Sequence, residues 1–323
     1  MLRFGVWKRA WKAGKGERYI LAGGGMGVGG GIRPKGLRVC TYLLGIRYRD
    51  VIVLQGPPLM GVAFAMQGIW GYRLFDLCLL MVANLLLVSH IFSLNDWAGI
   101  ASDLTDPNKA METFLSRGIS KGEMGFLSLV TGCLSLVTFS LLPLRTFLLA
   151  SAIVALGLLY SHPRLHGKGI PVLSSCLHLT GGMLHFLVGY SLWRGLELRG
   201  GLISLFFAIV FTAGHLTQEV GDYEGDVCNG ILTNGVRFGK EWIFLASFVL
   251  FTLSFGYLWG LVQYGVVPAP LRYILVLYPV HAALFWRAFR SGLTFQSISQ
   301  LRQAYRLLYA VIGLATIGAL ILQ

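Results

Sequence analysis

The stretch His215 to Lys240, HLTQEVGDYEGDVCNGILTNGVRFGK, sets Glu219, Asp222 and Asp226 at i, i+3 and i+7. On a helix they share one face, with His215 a turn earlier. Carboxylates so placed repel one another unless a cation lies between them, and an all-oxygen ligand set suits Mg2+. For one such cluster alone, a solvated acidic helix end is the plainer reading. A second cluster shifts the balance. Ser93 to Lys109, SLNDWAGIASDLTDPNK, offers Asn95 and Asp96, then Asp103 on the same helical face and Asp106 a turn beyond, before Pro107 ends or bends the helix. Mg2+ keeps waters and is commonly completed by substrate phosphates. Two such helix ends therefore imply an anionic, phosphate-bearing substrate.

The matching cations are near. Lys109 closes the first stretch, and Arg237 follows the second after Gly230 and Thr233. Tyr160 to Pro171, YSHPRLHGKGIP, adds Arg164 and Lys168, placed to meet diphosphate oxygens, Lys168 as a point charge. The same loop also reads as ordinary positive charge beside a membrane. His162 and His166 fit solvated loop residues. His90, His178, His185 and His281 fall in or near apolar segments, and His178 and His185 share a face that could line a cavity.

These residues hang on a strongly apolar frame. The 323 residues are 55% hydrophobic and 13% charged, with mean hydropathy +0.67, against about 45–50% and about 25% in soluble domains. Apolar runs predict nine membrane-spanning helices, roughly 51–70, 74–94, 122–142, 145–160, 172–191, 200–217, 242–263, 271–290 and 306–322. Pro57 and Pro58 fall inside the first of them and Pro279 inside the eighth, and only Pro143 and Leu144 separate the third from the fourth, a tight hairpin. Of 27 Lys and Arg, 22 lie on the N-terminal side of this topology, which puts the N-terminus and the loops 95–121, 161–171 and 218–241 in the cytoplasm. Ten of the 14 acids fall at the two clusters, both on that face.

The rest of the chain excludes other chemistry. The basic residues lie in loops beside apolar segments, so the +13 charge does not point to nucleic acid. Five scattered cysteines make neither a disulfide framework nor a zinc site. Residues 1–45 form a basic, Gly-rich arm expected to be flexible, and 46–323 the membrane domain. Gly25, Gly27 and Gly30 spell GxGxxG, but an apolar span follows where a βαβ unit would be required.

Asp222, Asp226, Gly230, Thr233, Arg237 and Gly239 match position by position the second motif of the UbiA superfamily of intramembrane prenyltransferases, D-x-x-x-D followed by G-x-x-T-x-x-x-R-x-G. Asn95, Asp96 and Asp103 resemble its first motif, N-D-x-x-D-x-x-x-D, with Gly99 where the middle Asp is expected. Ser116 to Ser120 resembles the segment that follows, and Tyr160-Ser161 with Pro163 and Lys168 resembles the family's Y-S-x-x-P…K loop. Asn234-Gly235 stands where Leu-Pro is common. The resemblance covers residues 45 to 320. It implies an all-α, nine-helix bundle around a lipid-open cavity with Mg2+ at its cytoplasmic mouth.

The expected activity is transfer of a polyprenyl group from a prenyl diphosphate to a lipid-soluble, aromatic, quinone-precursor-like acceptor. Asn95, Asp96, Asp103, Asp106, Glu219, Asp222 and Asp226 are the candidate metal ligands. Lys109, Arg117, Arg164, Lys168 and Arg237 are the candidates for the diphosphate. Asp103 and Tyr160 are candidates for taking the acceptor's proton, and Lys168 for catalysis at the leaving group. Three alternatives stay open: a cyclase that ionises the same substrate without acceptor, a transporter with an acidic ion path, and a non-catalytic relative suggested by Gly99.

Overall fold

Pro57 lacks an N–H donor, so it suits the first turn of a helix and disrupts an interior. In the structure, a computed structural model that describes residues 45–66 and 74–321, it takes that first-turn place. The first expected span is thus two short helices, α1 (Tyr48–Val53) and α2 (Gly56–Ala65), not one. The break is closed by polar side chains: Asn84 donates to the Leu54 carbonyl (3.3 Å) and to Gln55 Oε1 (2.7 Å), and Gln55 donates to the Val51 carbonyl. Apart from Gly45, the N-terminal arm lies outside the described residues.

The chain continues with α3 (Leu74–Thr105), α4 (Lys121–Ser140), α5 (Leu144–Ser161), α6 (Leu173–Tyr190), α7 (Leu198–Cys228), α8 (Asn234–Phe238), α9 (Lys240–Gln263), α10 (Tyr278–Arg290) and α11 (Phe295–Ile321). Short 3-10 helices occupy Ala110–Glu112, Gly167–Gly169 and Ala269–Leu277. No strand occurs among the described residues, so the fold is all-α as expected. Among them seven helical stretches, not nine, are long and apolar enough to cross a membrane: α3, α4, α5, α7, α9, Ala269–Arg290 and α11. The two that fall short are the broken α1–α2 and α6, whose 18 residues include Ser174, Ser175, His178, Thr180 and His185. Pro279, like Pro57, sits in a first turn. The seven stretches support an integral, multi-pass membrane protein. Large apolar side chains on the outside, Phe75, Phe126, Leu148 and Trp242 among them, suit lipid contact.

Two helices are longer than a bilayer needs. With 32 and 31 residues, α3 and α7 run to about 47 Å at 1.5 Å per residue, against about 30 Å of hydrocarbon. The surplus turns at their C-terminal ends carry both acidic clusters. α3 packs on α4 and α5, while α7 packs on α6, α9 and α11. Leu80, Ala83, Leu87, Phe139, Ala150 and Val188 join α3 to α4, α5 and α6. Phe64, Phe186, Tyr190, Ile203, Phe255 and Ile312 join α2, α6, α7, α9 and α11. The α2–α6 crossing is so close that a Cβ on Gly189 would stand 1.9 Å from the Pro58 carbonyl oxygen, and one on Gly61 2.2 Å from that of Phe186. The hairpin expected at Pro143 is present, with Pro143 as the N-cap of α5. Ser120 starts α4 through a capping box: its hydroxyl accepts from the Glu123 N–H, and Glu123 accepts from the Ser120 N–H (2.8 Å). One of the acids counted at the first cluster is therefore a helix cap.

Candidate active site

The C-terminal ends of α3 and α7 meet. Thr105 donates to Asn229 Oδ1 (2.6 Å), and Asn229 Nδ2 donates to the Ser102 carbonyl (3.2 Å). Asp106 packs on Gly225 so tightly that a Cβ there would lie 2.3 Å from Asp106 Oδ2. Half a sequence apart, the two acidic clusters thus share one end of the bundle. Helix C-termini carry partial negative charge, so Asp103 and Asp226 in last turns are placed against the dipole. Lysines answer Asp226 and its neighbour Asp222.

Lys109 Nζ is 2.8 Å from Asp222 Oδ1 and 3.8 Å from Asp106 Oδ2, while Lys168 Nζ is 3.4 Å from Asp226 Oδ1. Burial opposes the charge on Lys168, but Asp226 and, further off, Asp222 and Asp103 favour it, and the amine is held above its ordinary value. It is therefore protonated at neutral pH. The loop that presents it is strained: His166 has φ 50° and Val172 φ 67°, unusual for a β-branched residue. Asn234 clamps the far end, accepting from the Val172 N–H (2.6 Å) and donating to Ser174 (3.0 Å) and Glu219 Oε1 (3.2 Å). This is the structural work of the Asn that stands where Leu is common.

At the first motif Asp96 is paired with Arg47, which uses two guanidinium nitrogens; Nε lies 3.1 Å from Oδ2 and Nη2 reaches Oδ1. Burial opposes the Arg47 charge too, and Asp96, with Asp50 and Asp103 behind it, raises its pKa above the ordinary value. Asp103 is half-buried and pairs with no side chain among the described residues; its Oδ2 would be 3.8 Å from a Cβ at Gly99. Asn95 is half-buried alongside. Asp106 does not turn back to fill the Gly99 position. Its Oδ1 accepts from the Asn108 N–H (2.9 Å), an Asx-turn that stops α3, and its other oxygen faces Gly225.

Glu219 belongs to a neighbouring polar group deeper along α7. Its Oε1 accepts from Ser174 (3.2 Å) and Asn234 and lies 3.2 Å from His215 Nε2, while its buried Oε2 has no hydrogen-bond partner among the described residues. His178 stacks on His215 with ring centroids 3.6 Å apart, and Tyr160 meets the pair edge-on, 5.0 Å from His178. His185, expected on the same face as His178, instead bonds Asn84 Oδ1 (2.8 Å) in the core. Arg117 lies in electrostatic reach of Asp96 and donates to the Glu112 carbonyl (3.2 Å). Arg164 and Arg237 are exposed and are not brought to the carboxylates.

Two cations escaped the sequence reading. Arg47 was one of eleven in the basic N-terminal run. Arg302, on α11, donates to Gln218 (3.1 Å) and acts electrostatically on Asp222. With Arg306, four residues on and 2.7 Å from Asp50, it forms a basic helical face, a signal the sequence did offer.

Among the described residues, no group of three or more His, Cys, Asp or Glu is gathered as a metal cage. The second motif nonetheless suits a hard cation: Asp222 and Asp226 are buried oxygen donors one turn apart, and Asp226 Oδ2 has no hydrogen-bond partner among the described residues.

No protein of curated function matches the chain. Solved structures do. A UbiA homolog from Archaeoglobus fulgidus bound to GPP and Mg2+ aligns with TM-score 0.66 at 18% identity, covering 86% of this chain and 99% of that one. A digeranylgeranylglyceryl phosphate synthase aligns at 0.63 and 16%, covering 89% and 100%. An apo UbiA homolog from Aeropyrum pernix K1 aligns at 0.62 and 18%, covering 85% and 97%. At such identities the likeness speaks for the fold. The family profile described as UbiA prenyltransferase family spans residues 56–319, and the chain belongs to that family.

Proposed function

We propose that this prenyltransferase moves a polyprenyl group from its diphosphate to a lipid-soluble acceptor of the aromatic, quinone-precursor type. The observation that carries the reading is the meeting of the α3 and α7 ends, where buried Asp222 and Asp226 face Lys109 and Lys168. Relatives bound to GPP or DMAPP with Mg2+ support it. Bound Mg2+ would neutralise the diphosphate and make it a better leaving group. Asp222 and Asp226 are the residues to hold it, with Asp103 adjoining.

Lys109 and Lys168 sit on carboxylates, and each is a flexible point charge able to turn to diphosphate oxygens. Lys168, Lys109, Arg302 and Arg117 then stabilise the charge that grows on the leaving group. The Tyr160, His178 and His215 rings form a wall beside the acids. A water-poor aromatic wall protects the allylic carbon while it is cationic. Asp103, a carboxylate without an ion-pair partner among the described residues, takes the acceptor's proton. The bundle crosses the membrane nine times around a lipid-open cavity, with α6 and α1–α2 as the two crossings beyond the seven long ones. Its acidic end faces the cytoplasm, as the distribution of Lys and Arg supports.

The test is product analysis of purified protein given a panel of prenyl diphosphates, Mg2+ and quinone precursors. A prenylated acceptor is the expected product. A cyclised terpene formed without acceptor would replace the transfer reading with the cyclase, and neither product would sink both.

A further inference from the structure

We infer that the Arg47 guanidinium occupies the first acidic motif in place of a divalent cation, so that this site takes one such ion, at Asp222 and Asp226. The inference rests on the function proposed above. Both oxygens of Asp96 are engaged by Arg47, and a bidentate guanidinium leaves a carboxylate little to offer a metal. Gly99, between Asp96 and Asp103, supplies no carboxylate. The lack is chemical and not steric, because a Cβ there would meet only Asp103 Oδ2 at 3.8 Å and Ser102 Oγ at 3.9 Å. Of the motif's carboxylates Asp103 alone remains, beside the neutral Asn95, and one carboxylate makes a poor site for an ion that takes six ligands.

Arg47 is also anchored. Its guanidinium lies 5.9 Å from the Phe92 ring centroid. The helix it precedes is tied to α11 by the 2.7 Å Asp50–Arg306 pair. A guanidinium keeps its proton at any working pH, so its charge is permanent. The second motif differs on each point: its partners are single lysine contacts, and Asp226 Oδ2 is buried without a hydrogen bond to the described residues. The exchange of a metal for an arginine thus answers the exchange of an Asp for Gly99.

Mn2+ bound per chain, counted by electron paramagnetic resonance with an unreactive geranyl thiolodiphosphate present, decides the matter. The unaltered protein should bind one Mn2+ per chain, and the Arg47→Gln/Gly99→Asp double variant two. Two ions in the unaltered protein would overturn the inference while leaving the proposed function standing. So would one ion in a double variant that keeps its helical circular dichroism and binds the analogue. If the double variant does not fold, the count on the unaltered protein still decides. Failure of the unaltered protein to bind either Mn2+ or the analogue would overturn the inference and the proposed function together.

Discussion

The ends of α3 and α7 pose the same electrostatic problem and solve it differently. Each gathers like-charged carboxylates along the last turns of a long helix. At α7 the answer comes from loops: Lys109 and Lys168 reach Asp222 and Asp226 through one contact each. At α3 it comes from an arginine beside a pinned helix, gripping Asp96 with two nitrogens. A lysine so held can let go when a stronger cation or an anionic ligand arrives. A bidentate arginine is costly to displace, because it would leave a charge unpaired. The contrast separates acids that are to be vacated for a ligand from an acid that is already satisfied.

The sharpest way to break the contrast is to remove the α7 acids. Asp222→Asn or Asp226→Asn should lower turnover by on the order of 10²-fold or more, since either change strips charge from the metal position. Turnover within a few-fold of the unaltered protein, with helical content intact, would show that α7 does not hold the reaction. Lys168→Ala should cost about 10²-fold, the usual scale for losing one preorganised cationic or hydrogen-bonding group at a leaving group. Lys168→Arg should recover part of it. The pH dependence has a definite sign: the Lys168 pKa is raised, so its charge is fully present at neutral pH and lost only above the ordinary lysine range. A loss of activity between pH 6 and 9 would therefore have to come from another group.

Much of this was legible in the sequence because it depends on helical periodicity. Asp222 and Asp226 share a face at a spacing any helix fixes, and α7 does run unbroken through Cys228. The tight turn at Pro143 followed from one residue's chemistry. What depends on how distant segments pack was not legible. Periodicity does not say that Asn234 will clamp the Lys168 loop or that Arg47 will reach Asp96, 49 residues away. The first span is not one kinked helix because Pro57 opens a new helix whose loose ends Gln55 and Asn84 satisfy. Arg164 is expected at the diphosphate from its place in a loop on the acidic face, and Arg237 from its place in the second motif, yet both are exposed.

The seam between the two ends gives a smaller effect. Gly225→Ala would place a methyl 2.3 Å from Asp106 Oδ2 and 3.3 Å from its Cβ. Asp106 is short and already tied to Asn108, so the helix ends must move apart, at about 1–3 kcal/mol. Thermal melting in detergent should show the loss, and an unchanged midpoint would mean the ends are not packed as described.

The smallest effect tests whether Asp106 belongs to the metal position at all. It lies near Asp222 only through Lys109, and at 3.8 Å that contact is beyond hydrogen-bond reach. Its firm interaction is the 2.9 Å bond from the Asn108 N–H, which an amide oxygen accepts equally well. Asp106→Asn should therefore cost less than about 1 kcal/mol in stability and leave the Mg2+ concentration for half-maximal activity unchanged. Asp106→Ala loses the turn-forming bond as well, and should cost about 1 kcal/mol, again with no change in Mg2+ requirement. If Asp106→Asn instead raised the Mg2+ requirement as Asp222→Asn does, the carboxylate missing at Gly99 would have been replaced about two turns further along, just past the end of α3. The division between a metal-holding α7 end and an arginine-satisfied α3 end would then fail at Asp106.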